Sequence, residues 1–430
     1  SFTVGAKEVF GEAPVIPPVR LVEAGILRRD IEEVVLRNSR TRELNALNIR
    51  ARLAAINRTR ERIHDVIREY GKEVFLEAQK RILDLVRRAF IRRLKELPDG
   101  TWREEGFLDH DGNQNRLYRI CLAMTKEGER LVFDFTGTSP QAEGPVNCTR
   151  VGLEGGVYSA VLPALCYDMA WSPAALGDVI LIQSAEGSIN NARYPAAVSM
   201  ATVAATFATQ HVASATIAKM LSCASDPRYR LEAQANWMPT WQGTIVAGLN
   251  HRGERFTGPL LDQAGGAGAR LIRDGIDTGG TPGSPSMGIA NVETYERQNA
   301  ILYVYRKQGR DTGGAGRFRG GMGTDLLIIP HNHTGPLDVT VLCHGASQPE
   351  ARGLFGGGPS SVQVRLMLRQ TNLAELFRSG FVPTSLGEID SKMVEALEAK
   401  DRTTMNGGDA LLAVAAGGAG YGDPLDRPAE

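Results

Sequence analysis

From Leu27 to Glu96 the chain holds one glycine, Gly71, and no proline, while apolar residues return at helical spacing: Ile49, Leu53, Ile56, Ile63 and Ile67, then Phe75, Leu83, Val86, Phe90 and Leu94. The spacing predicts two long amphipathic helices broken near Gly71. Before them, Pro14, Pro17 and Pro18 fix φ and remove donors, so residues 1–26 read as an extended arm that lies on something else. After them, Pro98-Asp99-Gly100 is a turn that ends the helical region at about residue 97.

Residues 98–222 change character. β-branched and aromatic alternation at Leu117–Met124 and Leu131–Phe135, on either side of Lys126, Glu127 and Gly128, predicts a hairpin. An Ala- and Thr-rich stretch follows, with helices expected at Leu153–Cys166 and Ala197–Leu221 and a short strand at Asp178–Gln183; Pro163 should kink or shorten the first helix. From residue 223 to 430 the pattern is of short strands (Thr244–Leu249, Ala300–Tyr305, Leu326–Ile329, Val339–Leu342, Val362–Leu368) between glycine-rich loops. The fold class that results is α+β: long N-terminal helices, a mixed middle and a glycine-rich, β-dominated C-terminal part.

Composition narrows the function. With 49 basic and 49 acidic side chains the formal charge is zero, which argues against a protein whose main work is gripping phosphate backbones. The zero conceals an excess of eight positive charges between residues 27 and 96, where 19 Lys/Arg face 11 Asp/Glu; this is either a docking surface for an acidic partner or a solvated helix face. Five scattered cysteines without a CxxC pair predict neither a disulfide framework nor a zinc ribbon, and with no membrane-length apolar run or leader-like start they point to the cytoplasm. Of 48 glycines, 33 lie beyond residue 240.

Several residues carry candidate chemistry. Asp134 stands at a strand end before Thr136, Gly137 and Thr138, an arrangement that reads as polar substrate contacts at a pocket mouth or as a local Asx turn. Arg317 and Arg319 sit inside the densest glycine cluster, residues 312–323, where turned-in amides and guanidiniums would suit an anionic or carbonyl-bearing group; a structural turn network is the alternative. That cluster has neither the GK[ST] of a nucleotide loop nor a dinucleotide fingerprint. Glu293 and Glu296 are the candidates for proton transfer, and His331 with His333 forms an H-x-H pair that is a weak metal candidate, with His344 at the end of the following strand as the only plausible third ligand. His64, His110, His211 and His251 are isolated and read as surface or satisfied core histidines.

The stretches EAPVIPPVRLVEAG (12–25), VFDFTGTSPQAEGPVN (132–147), DTGGAGRFRGGMG (311–323) and GGDALLAVAAGGAGYGDPLDRP (407–428) resemble the hydantoinase B, oxoprolinase and acetone (acetophenone) carboxylase α-type family, in order along nearly the whole chain. The resemblance implies a subunit of a heteromeric enzyme whose hydantoinase-A-like partner binds ATP. It implies activation of a small carbonyl compound, followed by ring-opening hydrolysis of a cyclic amide such as a hydantoin or 5-oxoproline; carboxylation of a ketone such as acetone or acetophenone is the alternative, and a non-catalytic scaffold the third reading. Family members begin with a region that supplies a metal site. The match covers only the later part, so the resemblance carries no metal ligand over to this chain: the ligands of a divalent metal in the complex lie on a separate polypeptide with that missing region, or have been lost. Trp171-Ser172 and Asn190-Asn191-Ala192 stand where a Pro-Asn and an Asn-Pro pair are expected, a departure consistent with a different substrate.

Overall fold

The computed structural model describes residues 3–39, 41–238, 243–260, 263–285 and 289–428. Helices run over Arg29–Arg37, Arg42–Tyr70 and Lys72–Lys95. The break falls at Gly71, whose φ of 88° lies in the left-handed region where a side chain is strained. Amphipathic periodicity here does not mean burial. The 29-residue helix buries only Ile49, and the 24-residue helix buries Val86, Phe90, Ile91 and Leu94 at its C-terminal end. That root is fastened by Arg93, whose Nη2 reaches both oxygens of Asp168 at 2.7 and 2.8 Å, and by the Tyr229 hydroxyl donating to Glu96. Beyond the root, Leu44, Leu47, Ile56, Val74, Ile82 and Leu85 are all more than half exposed. The N-terminal arm is extended, with a two-residue hairpin (Val22–Glu23 against Ile26–Leu27) turning through Ala24 and Gly25.

The first sheet has four strands in the order Gly100–Asp109, Leu117–Glu127, Arg130–Asp134, Ile180–Gln183, antiparallel except for the last pair. The predicted hairpin is present. Its alternation puts Tyr118, Ile120, Leu122 and Met124 on the buried face. The strand Gly100–Asp109 was not expected, because Arg103, Glu104 and Glu105 break its apolar pattern. Ten consecutive cross-strand pairs with Leu117–Lys126 hold it, and Glu104 is compensated by Lys219 at 2.9 Å.

Helices Arg150–Leu165 and Ala205–Ser222 cover this sheet. Gly152, Gly156 and Ala160 recur every fourth residue, and a Cβ at Gly156 would stand 2.8 Å from the Thr206 carbonyl oxygen, so the helices lie close enough that glycine is required. Pro163 stays inside its helix. Its missing N–H leaves the Ser159 carbonyl free, and the Gln210 side-chain amide donates to that oxygen at 3.2 Å.

The C-terminal part is a β-sandwich. Its five-stranded sheet has the order Ile301–Gln308, Thr324–Pro330, Ala410–Val414, Val364–Thr371, Ser391–Ala396; its four-stranded sheet has the order Lys400–Met405, Leu337–Leu342, Gly243–Leu249, Arg255–Leu260. Val246, Val339 and Val341 from one pack with Leu326, Ile328 and Leu411 from the other. Buried charges stitch the sandwich to the first sheet: Lys400 Nζ donates to the carbonyls of Asp109 and Cys343 at 3.1 and 2.8 Å, and the Asp109 carboxylate accepts from the amides of Gly345, Ala346 and Ser347. Burial raises the Asp109 carboxyl, but Lys400 and these amides outweigh it and hold the group below its usual range. All five cysteines are free, and no described helix is long and apolar enough to cross a membrane.

The glycine-rich segments pack closely against one another. A Cβ at Gly266 would lie 1.8 Å from the Gly321 oxygen and one at Gly418 1.9 Å from the Ala267 oxygen. Gly321 N donates to Ala267 O, Gly418 N to Gly321 O and Gly314 N to Gly418 O, at 2.8, 2.9 and 2.8 Å. This knot of main chain takes up its own donors and acceptors.

Candidate functional site

The face of helix Ala205–Ser222 turned away from the first sheet bears His211, Ser214, Ile217, Ala218 and Leu221, spaced so that they share one side. Ser159, Ala160, Pro163 and Ala164 of the neighbouring helix stand opposite, and the extended segment from Glu232 to Trp237 closes the space with Arg270 and Pro282. These residues enclose a cavity of about 220 Å³. Its walls mix alanine, proline, isoleucine, leucine and Trp237 with the polar side chains of Ser159, His211, Ser214, Glu232, Gln234, Asn236 and Arg270, a combination found in small-ligand sites.

His211 is buried and its Nε2 lies 3.1 Å from the Glu350 carbonyl oxygen and 2.7 Å from the Asn236 side-chain amide. Nδ1 has no partner among the described residues. That nitrogen is itself buried, and among the described residues all the ring's hydrogen bonds are made through Nε2. Burial is the main cause that lowers the His211 pKa to about 4, so the ring is neutral at physiological pH and serves as a hydrogen-bonding group rather than as a charge. Behind it, the Glu350 carboxylate holds His344 Nδ1 at 2.9 and 2.8 Å in full burial, and desolvation pushes the Glu350 pKa up. His344 Nε2 is likewise unpartnered among the described residues.

The glycine knot positions one side of this site. Ala419 N donates to the Asn236 carbonyl at 2.8 Å and Ala235 N to Ala269 O at 2.9 Å, and a Cβ at Gly268 would fall 1.7 Å from the Ala235 oxygen. The segment carrying Asn236 is thus held flat against the knot. At the cleft margin, Arg270 Nη1 pairs with Glu232 at 2.8 Å.

None of the residues put forward from sequence for substrate contact, proton transfer or metal binding lines this cleft, whereas His211, read there as an isolated surface or core histidine, does. Asp134 Oδ1 accepts from Thr136 N and Thr136 Oγ1 at 2.9 and 2.6 Å, and the Thr138 hydroxyl accepts from Cys121 N at 3.1 Å, while Gly137 turns with φ 91°. Arg319 is held by Asp277 at 2.8 and 3.2 Å and its own N–H donates to Asp274; Arg317 is exposed beside Phe318. Glu296 accepts from Tyr303 N at 2.9 Å, and Glu293 is exposed in the first turn of helix Val292–Gln298. His331 is exposed, and His333 Nδ1 bonds Gly335 O at 2.6 Å. No group of three or more His, Cys, Asp or Glu able to hold a metal occurs among the described residues, so these side chains do not fit the metal that the family resemblance implies for the complex. His211 and Asn236 were missed because the signal that marks them is spatial. In sequence His211 is one histidine in an Ala/Thr-rich helix, and 25 residues separate it from Asn236.

The arrangement defines an α+β protein with a small cleft of mixed apolar and polar lining. The chain belongs to the hydantoinase B/oxoprolinase family, whose model matches residues 1–424. It is 26% identical over 440 residues to the acetophenone carboxylase delta subunit of Aromatoleum aromaticum, covering 99% of this chain and 63% of that one. It is also 26% identical over 434 residues to caprolactamase subunit beta of Pseudomonas jessenii, covering 98% and 68%. The nucleotide-free structure of acetone carboxylase, described for ATP-dependent acetone carboxylation, superposes with a TM-score of 0.88 at 22% identity over 99% of this chain and 58% of that one. The chain thus spans about 63% of the length of the acetophenone carboxylase subunit it matches.

Proposed function

We propose that this chain serves as a hydantoinase-B-type subunit, or as the later part of one, in a heteromeric ATP-dependent enzyme that activates a small carbonyl compound. The observation that carries the reading is the cleft: a buried, neutral histidine, side-chain amides and two serine hydroxyls set among apolar residues, in a chain whose family includes relatives acting on ketones and a lactam. Ring-opening hydrolysis of a cyclic amide stands ahead of ketone carboxylation. A ring amide presents an adjacent carbonyl acceptor and N–H donor, and Asn236, Ser159, Ser214 and His211 offer groups of both kinds; a ketone would use only the donors. In either reaction ATP phosphorylates the carbonyl oxygen. A ring amide becomes an imidate phosphate whose carbon is attacked by water with loss of phosphate, whereas a ketone loses an α-proton to become an enol phosphate whose α-carbon adds to carbon dioxide as the phosphoryl group passes to water and the C=O bond reforms. The task of these residues is to orient the activated compound and limit bulk water around it. Asp134, Thr136, Gly137, Thr138, Arg317 and Arg319 as substrate contacts, and Glu293 or Glu296 as proton-transfer groups, would need an approach by another chain, since each is outside the cleft.

ATP is placed on a hydantoinase-A-like partner. The exposed apolar residues of the two long helices, within a segment of +8 charge, support a surface covered by another chain. The test is to incubate the purified complex with ATP and a hydantoin, or with ATP, acetophenone and bicarbonate. ATP consumption that follows the hydantoin supports hydrolysis; consumption that depends on bicarbonate sinks it in favour of carboxylation.

A further inference from the structure

We infer that the two-helix arm is the docking site for an acidic amphipathic helix of the ATP-binding partner, seated in the groove that helices Arg42–Tyr70 and Lys72–Lys95 form near their Gly71 junction. This rests on the reading of the chain as one subunit of a heteromeric enzyme, and says where and by what chemistry the partner is held. Ala55, Ile63 and Val66 of the first helix and Phe75 of the second give the groove its apolar surface, Arg58 and Arg62 give it charge, and its volume is about 510 Å³. Positions 52, 55, 59, 63 and 66 recur at three or four residues, so Arg52 stands on the same face. No carboxylate lines the groove among the described residues. Long helices draw most of their stability from packing an apolar face, yet the first helix buries only Ile49 and leaves Leu44, Leu47 and Ile56 exposed. The stripe Val74, Ile82 and Leu85 on the second helix is exposed as well.

Charge decides the occupant. Residues 27–96 carry 19 Lys/Arg against 11 Asp/Glu in a chain of zero net charge. Arg52, Arg60, Lys72, Lys80 and Arg92 have no ion-pair partner among the described residues. Arg58 and Arg62 pair with Glu61 and Asp65 at 3.0 and 3.8 Å, but both pairs are exposed, so an incoming carboxylate exchanges with them at little cost. Apolar residues flanked by cations fit a surface that is apolar along its middle and acidic along its edges, which an amphipathic helix supplies. Three turns of such a helix match the stretch from Ala55 to Val66, about 17 Å at the rise of an α-helix. A nucleic acid would satisfy the arginines and leave Ile63, Val66 and Phe75 uncovered. A second copy of this chain, pairing arm to arm, would set the same arginines against one another.

The test uses the purified complex with its ATP-binding subunit. A photo-cross-linking benzoylphenylalanine placed at Arg52 should join this chain to a helical segment of that subunit rich in Asp and Glu, identified by mass spectrometry. Ile63→Asp with Val66→Asp should weaken assembly at least about tenfold by calorimetry, with the circular dichroism spectrum and melting temperature of the isolated chain unchanged. Arg58→Glu with Arg62→Glu should weaken it too, and should flatten the loss of affinity that the wild type shows between about 50 and about 500 mM salt. Cross-links to a second copy of this chain, or to a basic or uncharged segment of the partner, would overturn the inference. So would duplex DNA or RNA binding that the arginine variants abolish, or assembly that neither double variant changes. The enzymatic reading is judged separately. If the complex assembles and consumes ATP with its substrate while both double variants change nothing, the function stands and the docking assignment falls; if the chain assembles with no ATP-binding subunit, both fall.

Discussion

Gly418→Ala is the sharpest test of what the glycine-rich half does. The added Cβ would stand 1.9 Å from the Ala267 carbonyl oxygen and 2.6 Å from the Gly268 nitrogen, both main-chain atoms that cannot rotate away. An ordinary carbon–oxygen contact is about 3.3 Å, so a strand of the knot must shift by more than an ångström. Overpacking of this kind costs about 1–3 kcal/mol. The shift also pulls on Gly418 N→Gly321 O and Gly314 N→Gly418 O, and buried main-chain groups left unpaired cost about 1–3 kcal/mol each. The expected loss is therefore at least about 3 kcal/mol in urea unfolding, a large fraction of a domain's stability. Gly155→Ala is the control. Gly155 lies inside helix Arg150–Leu165 with nothing within 4 Å of a Cβ, so alanine should stabilise by about 1 kcal/mol. A Gly418→Ala protein unfolding within about 1 kcal/mol of the parent, but failing to bind a small anion, would refute the packing account and restore the ligand-loop reading.

Other outcomes follow from single sites. Phe90→Ala, which empties a fully buried position at the root of the helical arm, should cost about 3–5 kcal/mol in thermal or urea unfolding, whereas Ile56→Ala, 63% exposed, should stay within about 0.5 kcal/mol. His211 has a folded pKa of about 4 against an ordinary 6.5; between those values the unfolded chain takes up a proton that the folded chain refuses, so stability falls as pH falls. The loss is about 1.4 kcal/mol per pH unit and about 3 kcal/mol over the whole window, and the stability difference between wild type and His211→Gln should shrink by that amount on going from pH 7 to pH 4. Arg319→Ala removes a partly exposed pair with Asp277 and should cost about 1 kcal/mol, while Arg317→Ala should be near neutral in the same melt.

The elements with strong local signals were legible from the chain alone. The helices on either side of Gly71, the hairpin at residues 117–134 and the strands at 244–249, 326–329 and 339–342 follow from period and turn chemistry, which act over a few residues. Strands whose stability comes from partners were not legible: Gly100–Asp109 and Lys400–Met405 carry charges in their middles and exist because neighbouring strands take up their amides. The same division applies to the site. Residue types that advertise chemistry drew attention to Asp134, Arg317, Arg319, Glu293 and Glu296, yet Asp134, Arg319 and Glu296 are engaged in local turns, ion pairs or main-chain contacts and Arg317 and Glu293 stand exposed, while an isolated histidine became the centre of the cleft.

The sequence by itself determined the family, through ordered motifs that span the chain, and the position of the glycines. Only the tertiary structure decided what those glycines are for. Composition reports how close a backbone can come to something, but not to what, because that distance is set by segments about 50 to 150 residues apart in sequence. Folding brings residues 266–268, 314–321 and 418–420 together, and the knot they form holds Asn236 against His211.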